Sequence, residues 1–348
     1  MRNTCLYGLG HTKTTRRNSC GIKVDFGNGI ILGTNLQNIE KMMRRIYVPD
    51  DGYIFIQRDQ SGAEAKVVAY LCRKGKFREL FDNNVKPHVY VALHKFDYVW
   101  ADELNKYAGD IKLNIEEFTN SEIPDLQKHP QWKTLDKLIK KSDSWPPARR
   151  YYYMAKQMCH SFNYDAGAGA FILNTLIKSR GKIVISKKDA EQYLLFYHSM
   201  FPEIREWHKE VRDIITSTGI LYDLYGHPSH FFVNDDMSAP KVFKDAYAQV
   251  PQKTIATITA NAIVKTYEYI KEHKLDWHIL ADTHDSFMCQ CPIPEEDHCN
   301  TIMKKHLNAT LKSLRGEEFT MESEGAAGFN WAPFDKDKNP NGLKNTII

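Results

Sequence analysis

Two aspartates near opposite ends of the chain most constrain how it folds. Asp59 follows the apolar run Tyr53-Ile-Phe-Ile56, and Asp285 lies at the join of two strand-like runs within Trp277–Cys291. Runs of this kind read as β-strands, so each carboxylate is expected at a strand end. So far apart in sequence, the two acids can be paired only by the fold. Between them, Lys156, His160 and Tyr164 recur at i, i+4 and i+8. That spacing sets a cation, an imidazole and a phenol on one helical stripe.

The chemistry follows from the residue types. Mg²⁺ prefers oxygen ligands, commonly one or two carboxylates completed by water and substrate phosphates. Two such ions suit nucleotidyl transfer, activating a hydroxyl and stabilising a leaving pyrophosphate. Asp282 rivals Asp285 as the second carboxylate. Lys156 can neutralise phosphate, and Arg149 lies seven residues earlier on nearly the same azimuth. Tyr164 offers a stacking surface for a base. Ser61-Gly-Ala-Glu64 reads as a capping box, so Glu64 either closes a helix or serves the site. His88 is a helix-start residue or a phosphate contact. Cys289-Gln-Cys291 with His298-Cys299 lacks the second CxxC-type pair of a zinc site. Neither a G-x-x-x-x-G-K-[ST] loop nor a G-x-S-x-G elbow occurs.

A chain of 348 residues suits two subdomains. Its net charge of +4 falls short of a strongly basic nucleic-acid binder, so basic residues must act in clusters, such as Arg16-Arg17 or Arg149-Arg150. Seven scattered cysteines suggest a reducing compartment. The sequence holds no run of the roughly 20 apolar residues that a membrane span needs, nor the apolar core of a secretory signal at Met1-Arg-Asn-Thr. The expectation is a cytoplasmic protein, of a cell or of an infected host.

Ser144-Trp-Pro-Pro147 predicts a helix start, capped by Ser144, that runs through Tyr164. A further long helix is expected over about Pro251–Glu272. Residues 97–145 are weakly patterned and read as an insertion with its own local structure. The Gly-, Asn- and Pro-rich tail from Gly325 is expected to be partly disordered.

Taken in order, these segments resemble the family A DNA polymerases, of bacterial repair and phage replicative type. Asp59-Gln-Ser-Gly-Ala-Glu64 is similar to that family's first motif, with Asp as metal ligand and Glu excluding ribonucleotides. Lys156 through Tyr164 resembles its nucleotide-binding finger helix, and His284-Asp285 its third motif. Arg17, Asn35, Gln37, Lys244, Gln252 and His284 fall in segments that look like its DNA contacts. The resemblance implies an α+β right-hand polymerase: an antiparallel palm sheet with helical fingers, thumb and exonuclease domains absent. The palm would take residues 1–75 and 218–348, and the fingers 76–217. It implies two Mg²⁺ ions, primer-template DNA and dNTPs as partners, and a fragment or a subunit completed by a separate chain bearing the thumb. Alternatives are a single-subunit RNA polymerase-like enzyme and a catalytically silent nucleic-acid-binding remnant. Departures are plain. Tyr152 stands where the family carries Arg, His160 where it has Phe or Tyr, Asp165 where Gly follows the motif tyrosine, and Ser286 where Glu is usual.

Overall fold

The computed structural model describes residues 39–41, 43–107, 111–144, 150–233 and 239–346, with four short strands before residue 33. Those strands are β1 (Leu6–Gly8), β2 (Asn18–Cys20), β3 (Val24–Asp25) and β4 (Ile31–Leu32). Next come β5 (Tyr53–Gln60), α1 (Ala63–Leu71), α2 (Lys76–Asp82), α3 (Pro87–Lys95), α4 (Asp97–Tyr107), α5 (Ile115–Thr119), α6 (Ile123–Leu126) and α7 (Trp132–Lys141). The middle of the chain forms α8 (Tyr151–Phe162), α9 (Ala168–Lys178), α10 (Lys187–Met200) and α11 (Pro202–Thr218). Then follow β6 (Ile220–Tyr222), β7 (Pro228–His230), α12 (Ala239–His273), β8 (His278–Asp282), β9 (Ser286–Pro292) and α13 (Glu296–Leu307). The chain closes with β10 (Ala309–Lys312), β11 (Glu318–Met321), β12 (Ser323–Gly328) and β13 (Lys344–Asn345). It is an α+β architecture. No helix of the described residues is long and apolar enough to cross a membrane.

Two compact units result. The first takes Met1–Glu64, Tyr222–Ser229 and Ala248–Ile348. Its centre is a five-stranded sheet in the order β13-β12-β5-β9-β8, antiparallel throughout. β5 is the middle strand, and both its faces are covered. Ile54, Ile56 and Arg58 alternate onto the side of α13, where the Arg58 guanidinium reaches Asn300. Phe55 turns the other way, into a cluster with Ala281, Met288 and Trp331. Coverage on both faces explains why Ile54-Phe55-Ile56 is continuously apolar rather than alternating.

The described part of the tail, 325–346, is built into the fold, contrary to expectation. β12 pairs with β5 from Ser323↔Gln60 to Gly328↔Phe55. Trp331 is buried, and its indole Nε1 donates to Gln57 Oε1 at 2.9 Å. The Asn330 and Asn339 side-chain amides donate to one another, at 2.8 and 3.0 Å. The glycines that suggested disorder serve close approach. A Cβ on Gly325 would come within 2.8 Å of Arg58 Nη1, and one on Gly328 within 2.5 Å of the Gly342 carbonyl oxygen.

The second unit, Ala65–Leu221 with His230–Tyr247, is helical. α8 lies against α3, α7, α9 and α10. Its inner face joins an aromatic core in which Phe162 meets Phe171 and Tyr197, and Tyr197 meets Phe201. The stretch 97–145 is built into this unit rather than appended to it. α4 and α7 pack on α3, and α7 also packs on α8. Phe118, Leu126, Trp132, Leu135 and Ile139 are all buried.

Three boundaries differ from the sequence reading. α8 begins at Tyr151, and the Ser144 hydroxyl donates to Lys141 O at 2.7 Å instead of capping it. α8 also ends at Phe162, so Tyr164 lies past the helix, in a turn. The long helix α12 starts at Ala239, with Pro251 inside it, where one backbone N–H is missing.

Candidate active site

In the first unit the sheet brings the two distant acids to neighbouring strands. Asp59, on β5, is the Cα partner of Ser286 on β9. One step further, the Gln60 N–H donates to Asp285 O at 3.0 Å. Asp285 is therefore the residue just before β9, diagonal to Asp59. Asp59 is exposed and Asp285 half-buried. On its other flank Asp59 faces Glu324 of β12, a carboxylate the sequence reading did not select. Like charges directly opposed across strands repel, and a bound cation relieves that repulsion.

The β8–β9 turn is tightly held. His284 takes a left-handed φ of 78°. Its N–H donates to Asp282 Oδ1 at 3.0 Å, and its carbonyl accepts from the Thr259 hydroxyl of α12 at 3.1 Å. Asp282 thus caps the turn and is buried, which separates it from its rival Asp285. Thr259 in turn accepts from Gln60 Nε2 at 2.8 Å. One buried hydroxyl links the strand carrying Asp59 to the turn carrying Asp285. On the face opposite Arg58, Gln57 Nε2 donates to Ser286 Oγ at 3.0 Å, so Ser286 is a structural link. Behind Asp59, Arg58 is 1 % exposed. It donates to Ser323 Oγ (3.0 Å), Ser323 O (2.7 Å) and Asn300 Oδ1 (2.6 Å), and burial lowers its pKa. Neither Thr259 nor Arg58 carries a motif; only burial picks them out.

Glu64 is the second residue of α1 and half-buried. The capping-box reading changes: Gly62, at φ 60°, immediately precedes α1, and the Ser61 hydroxyl donates to Glu324 Oε1 at 2.9 Å. Gln252 is half-buried on α12. Beside it, Lys253 is buried, with Nζ donating to Pro228 O at 2.8 Å and Ser229 Oγ at 3.1 Å. It is a second cation that sequence reasoning passed over.

In the second unit, Lys156 and His160 are exposed on one face of α8, and Tyr164 follows, half-buried. The His160 and Tyr164 rings meet edge-on at 6.0 Å. His88, near the start of α3, meets Tyr152 of α8 at 6.2 Å. Burial first, then Lys156, Lys86 and His160, push its pKa down to about 3. It is a neutral imidazole beside cations, suited to donate to an anion. Asp165 has a left-handed φ of 57° and pairs with Arg205. It therefore occupies a conformation that glycine adopts freely, with its charge neutralised. Lys244 is exposed on α12. Arg17, Asn35, Gln37 and Arg149 lie outside the described residues.

Among the described residues no group of three or more His, Cys, Asp or Glu side chains is arranged to hold a metal. Two carboxylate-bearing residues lie at neighbouring backbone positions, Asp59 on β5 and Asp285 just before β9, and both offer hard oxygens. That set suits Mg²⁺, which completes its shell with water and phosphate. Cys289, Cys291 and Cys299 are all buried, and a hydrogen bond from one thiol to the next pushes Cys291 upward, as befits inert core thiols.

The first unit is thus an antiparallel sheet with Asp59 and Asp285 at neighbouring backbone positions, and the second is helical, with Lys156 and His160 exposed on one face of α8. The family model for DNA polymerase family A matches residues 136–333, and the chain belongs to that family. DNA polymerase I of Caldicellulosiruptor bescii is 21% identical over 309 residues, covering 85% of this chain and 29% of that protein. DNA polymerase I of Borreliella burgdorferi is 22% identical over 310 residues, covering 86% and 28%. The chain thus spans under a third of the length of these relatives. In fold it is similar to the POL domain of Pol1 from M. smegmatis, solved in complex with DNA primer-template and dNTP. The TM-score is 0.65 at 17% identity, over 94% of this chain and 48% of that one.

Proposed function

We propose that this chain is the nucleotidyl-transfer core of a template-directed DNA polymerase, adding dNTPs to a primer 3′-hydroxyl in the cytoplasm. The observation that carries the reading is the Gln60–Asp285 backbone bond, which sets Asp285 diagonal to Asp59 within a family A chain. The first unit corresponds to the palm and the second to the fingers.

Asp59 and Asp285 would hold two Mg²⁺ ions, which supply activation of the 3′-oxygen and charge neutralisation at the leaving pyrophosphate. The protein's own groups position the reactants. Lys156 neutralises the triphosphate, joined by His160, Arg149 and a neutral His88 that donates without adding charge. Tyr164 stacks at the nascent pair, and Glu64 closes against the sugar, favouring dNTP over rNTP. Arg17, Asn35, Gln37, Lys244, Gln252 and His284 contact DNA.

Primer extension with Mg²⁺ tests the reading. Asp59→Ala and Asp285→Ala should each lose at least about 10³-fold in incorporation while keeping a native melting transition. Wild-type incorporation by either folded variant refutes the assignment. Preference for rNTPs would point to the RNA polymerase-like alternative, and DNA binding without extension to a silent remnant.

A further inference from the structure

The outer face of α7 carries a charge pattern that helix energetics alone disfavours. Trp132, Leu135 and Ile139 face inward and are buried. Lys133, Lys137 and Lys141 are exposed at i, i+4 and i+8, about 6 Å apart along the axis. Like charges at that spacing destabilise a helix by about 0.2–0.5 kcal/mol per pair. Lys133 also sits in the first turn, which holds no acidic residue, where the helix dipole disfavours a cation. Asp136, the carboxylate on that face, is taken by Lys140. Among the described residues no carboxylate pairs with the other three, whereas Lys128 nearby is held by Asp125 at 2.9 Å.

We propose that this α7 stripe is a contact for the phosphate backbone of duplex DNA. The inference rests on the polymerase reading and adds a surface to it. A duplex strand presents one phosphate per about 3.4 Å of axis, so a 12 Å stripe spans about four of them. Single-stranded DNA is the poorer fit, because binders of unstacked bases use exposed aromatic platforms. The one aromatic residue of α7, Trp132, is buried. The contact reads no sequence, since ammonium groups on phosphates position a duplex without reading bases.

The test is the salt dependence of binding to a duplex with a short internal gap, comparing wild type with K133A/K137A/K141A. Alanine preserves helix propensity, and thermal melting checks the fold. Each phosphate contact contributes about 0.9 to the slope of log affinity against log salt. The variant's slope should be shallower by about 2–3. Wild type should therefore lose about 40-fold more affinity than the variant between 50 and 200 mM salt. K128A should keep the wild-type slope, and binding to oligo-dT should be unchanged. A wild-type slope in a folded triple variant overturns the inference and leaves the polymerase reading intact. An equal loss on oligo-dT, or an unchanged slope with loss of an acidic protein partner, overturns it as well. Failure of the wild-type chain to bind DNA at all defeats both.

Discussion

Replacing Thr259 by valine tests how the two acids are kept in register. The two side chains are nearly the same size, so packing is retained and only the hydroxyl is lost. That hydroxyl accepts from Gln60 Nε2 at 2.8 Å and donates to His284 O at 3.1 Å, in a site where Thr259 is 1 % exposed. Without it, Gln60 Nε2 keeps only a 3.4 Å contact to Ile255 O. Gln60 Oε1 is already buried without a partner. A buried donor left unsatisfied costs about 1–3 kcal/mol, which urea unfolding should register. The catalytic effect should be larger in proportion, because the His284 carbonyl loses the brace on the turn bearing Asp285. A misplacement of about 1 Å can cost roughly 10²-fold, so single-nucleotide incorporation should fall about 10- to 100-fold in kcat. Thr259→Ser keeps the hydroxyl and should retain the rate, losing about 0.8 kcal/mol for the missing methyl. A valine variant with wild-type kcat, or a serine variant as slow as valine, would show that this bridge does not set the geometry.

Arg58→Met should destabilise by about 2–4 kcal/mol in urea, because Ser323 O and Asn300 Oδ1 lose buried donors; a change under about 1 kcal/mol contradicts this. Lys156→Ala should lower kcat/KM for dNTP about 10- to 100-fold, the worth of one charge-assisted contact, with melting unchanged; unaltered dNTP kinetics would remove Lys156 from the site. Acid should weaken the fold early. Burial holds His88 and His198 at about 3 and His208 at about 4, below the ordinary 6.5. Between those values the unfolded chain binds protons that the folded one refuses, so stability falls as pH drops below about 6.5. The slope reaches up to about 1.4 kcal/mol per pH unit per histidine, and His198→Phe should flatten it; a flat profile from pH 6.5 to 4.5 would refute the burial argument.

Much of the candidate site was legible because its signals are local. Apolar runs marked β5 and β9, and spacing alone put Lys156 and His160 on one face. The helix boundaries were less so. Ser144 looks like a cap, yet its hydroxyl goes back to Lys141, and Tyr164 keeps its place after the helix has ended. The supporting residues carried no motif. Arg58 reads as a surface cation until α13 and β12 close over it, and Thr259 as one of several threonines on a long helix. Residues 97–145 seemed unpatterned because their helices are short and bury few side chains each; long-range packing on α3 and α8 orders them. The glycine-rich tail misled for a related reason. Its glycines allow backbones to touch, a need set by partners distant in sequence.

The seating of β12 against β5 has a consequence for biogenesis. Strand β5 (Tyr53–Gln60) is synthesised long before β12 (Ser323–Gly328), one of its two neighbours. Until β12 has been made, one edge of β5 stands open, and Arg58 lacks its Ser323 acceptors. The nascent chain therefore cannot complete the sheet around Asp59 until β12 emerges, and a change that unseats β12 is felt beside Asp59.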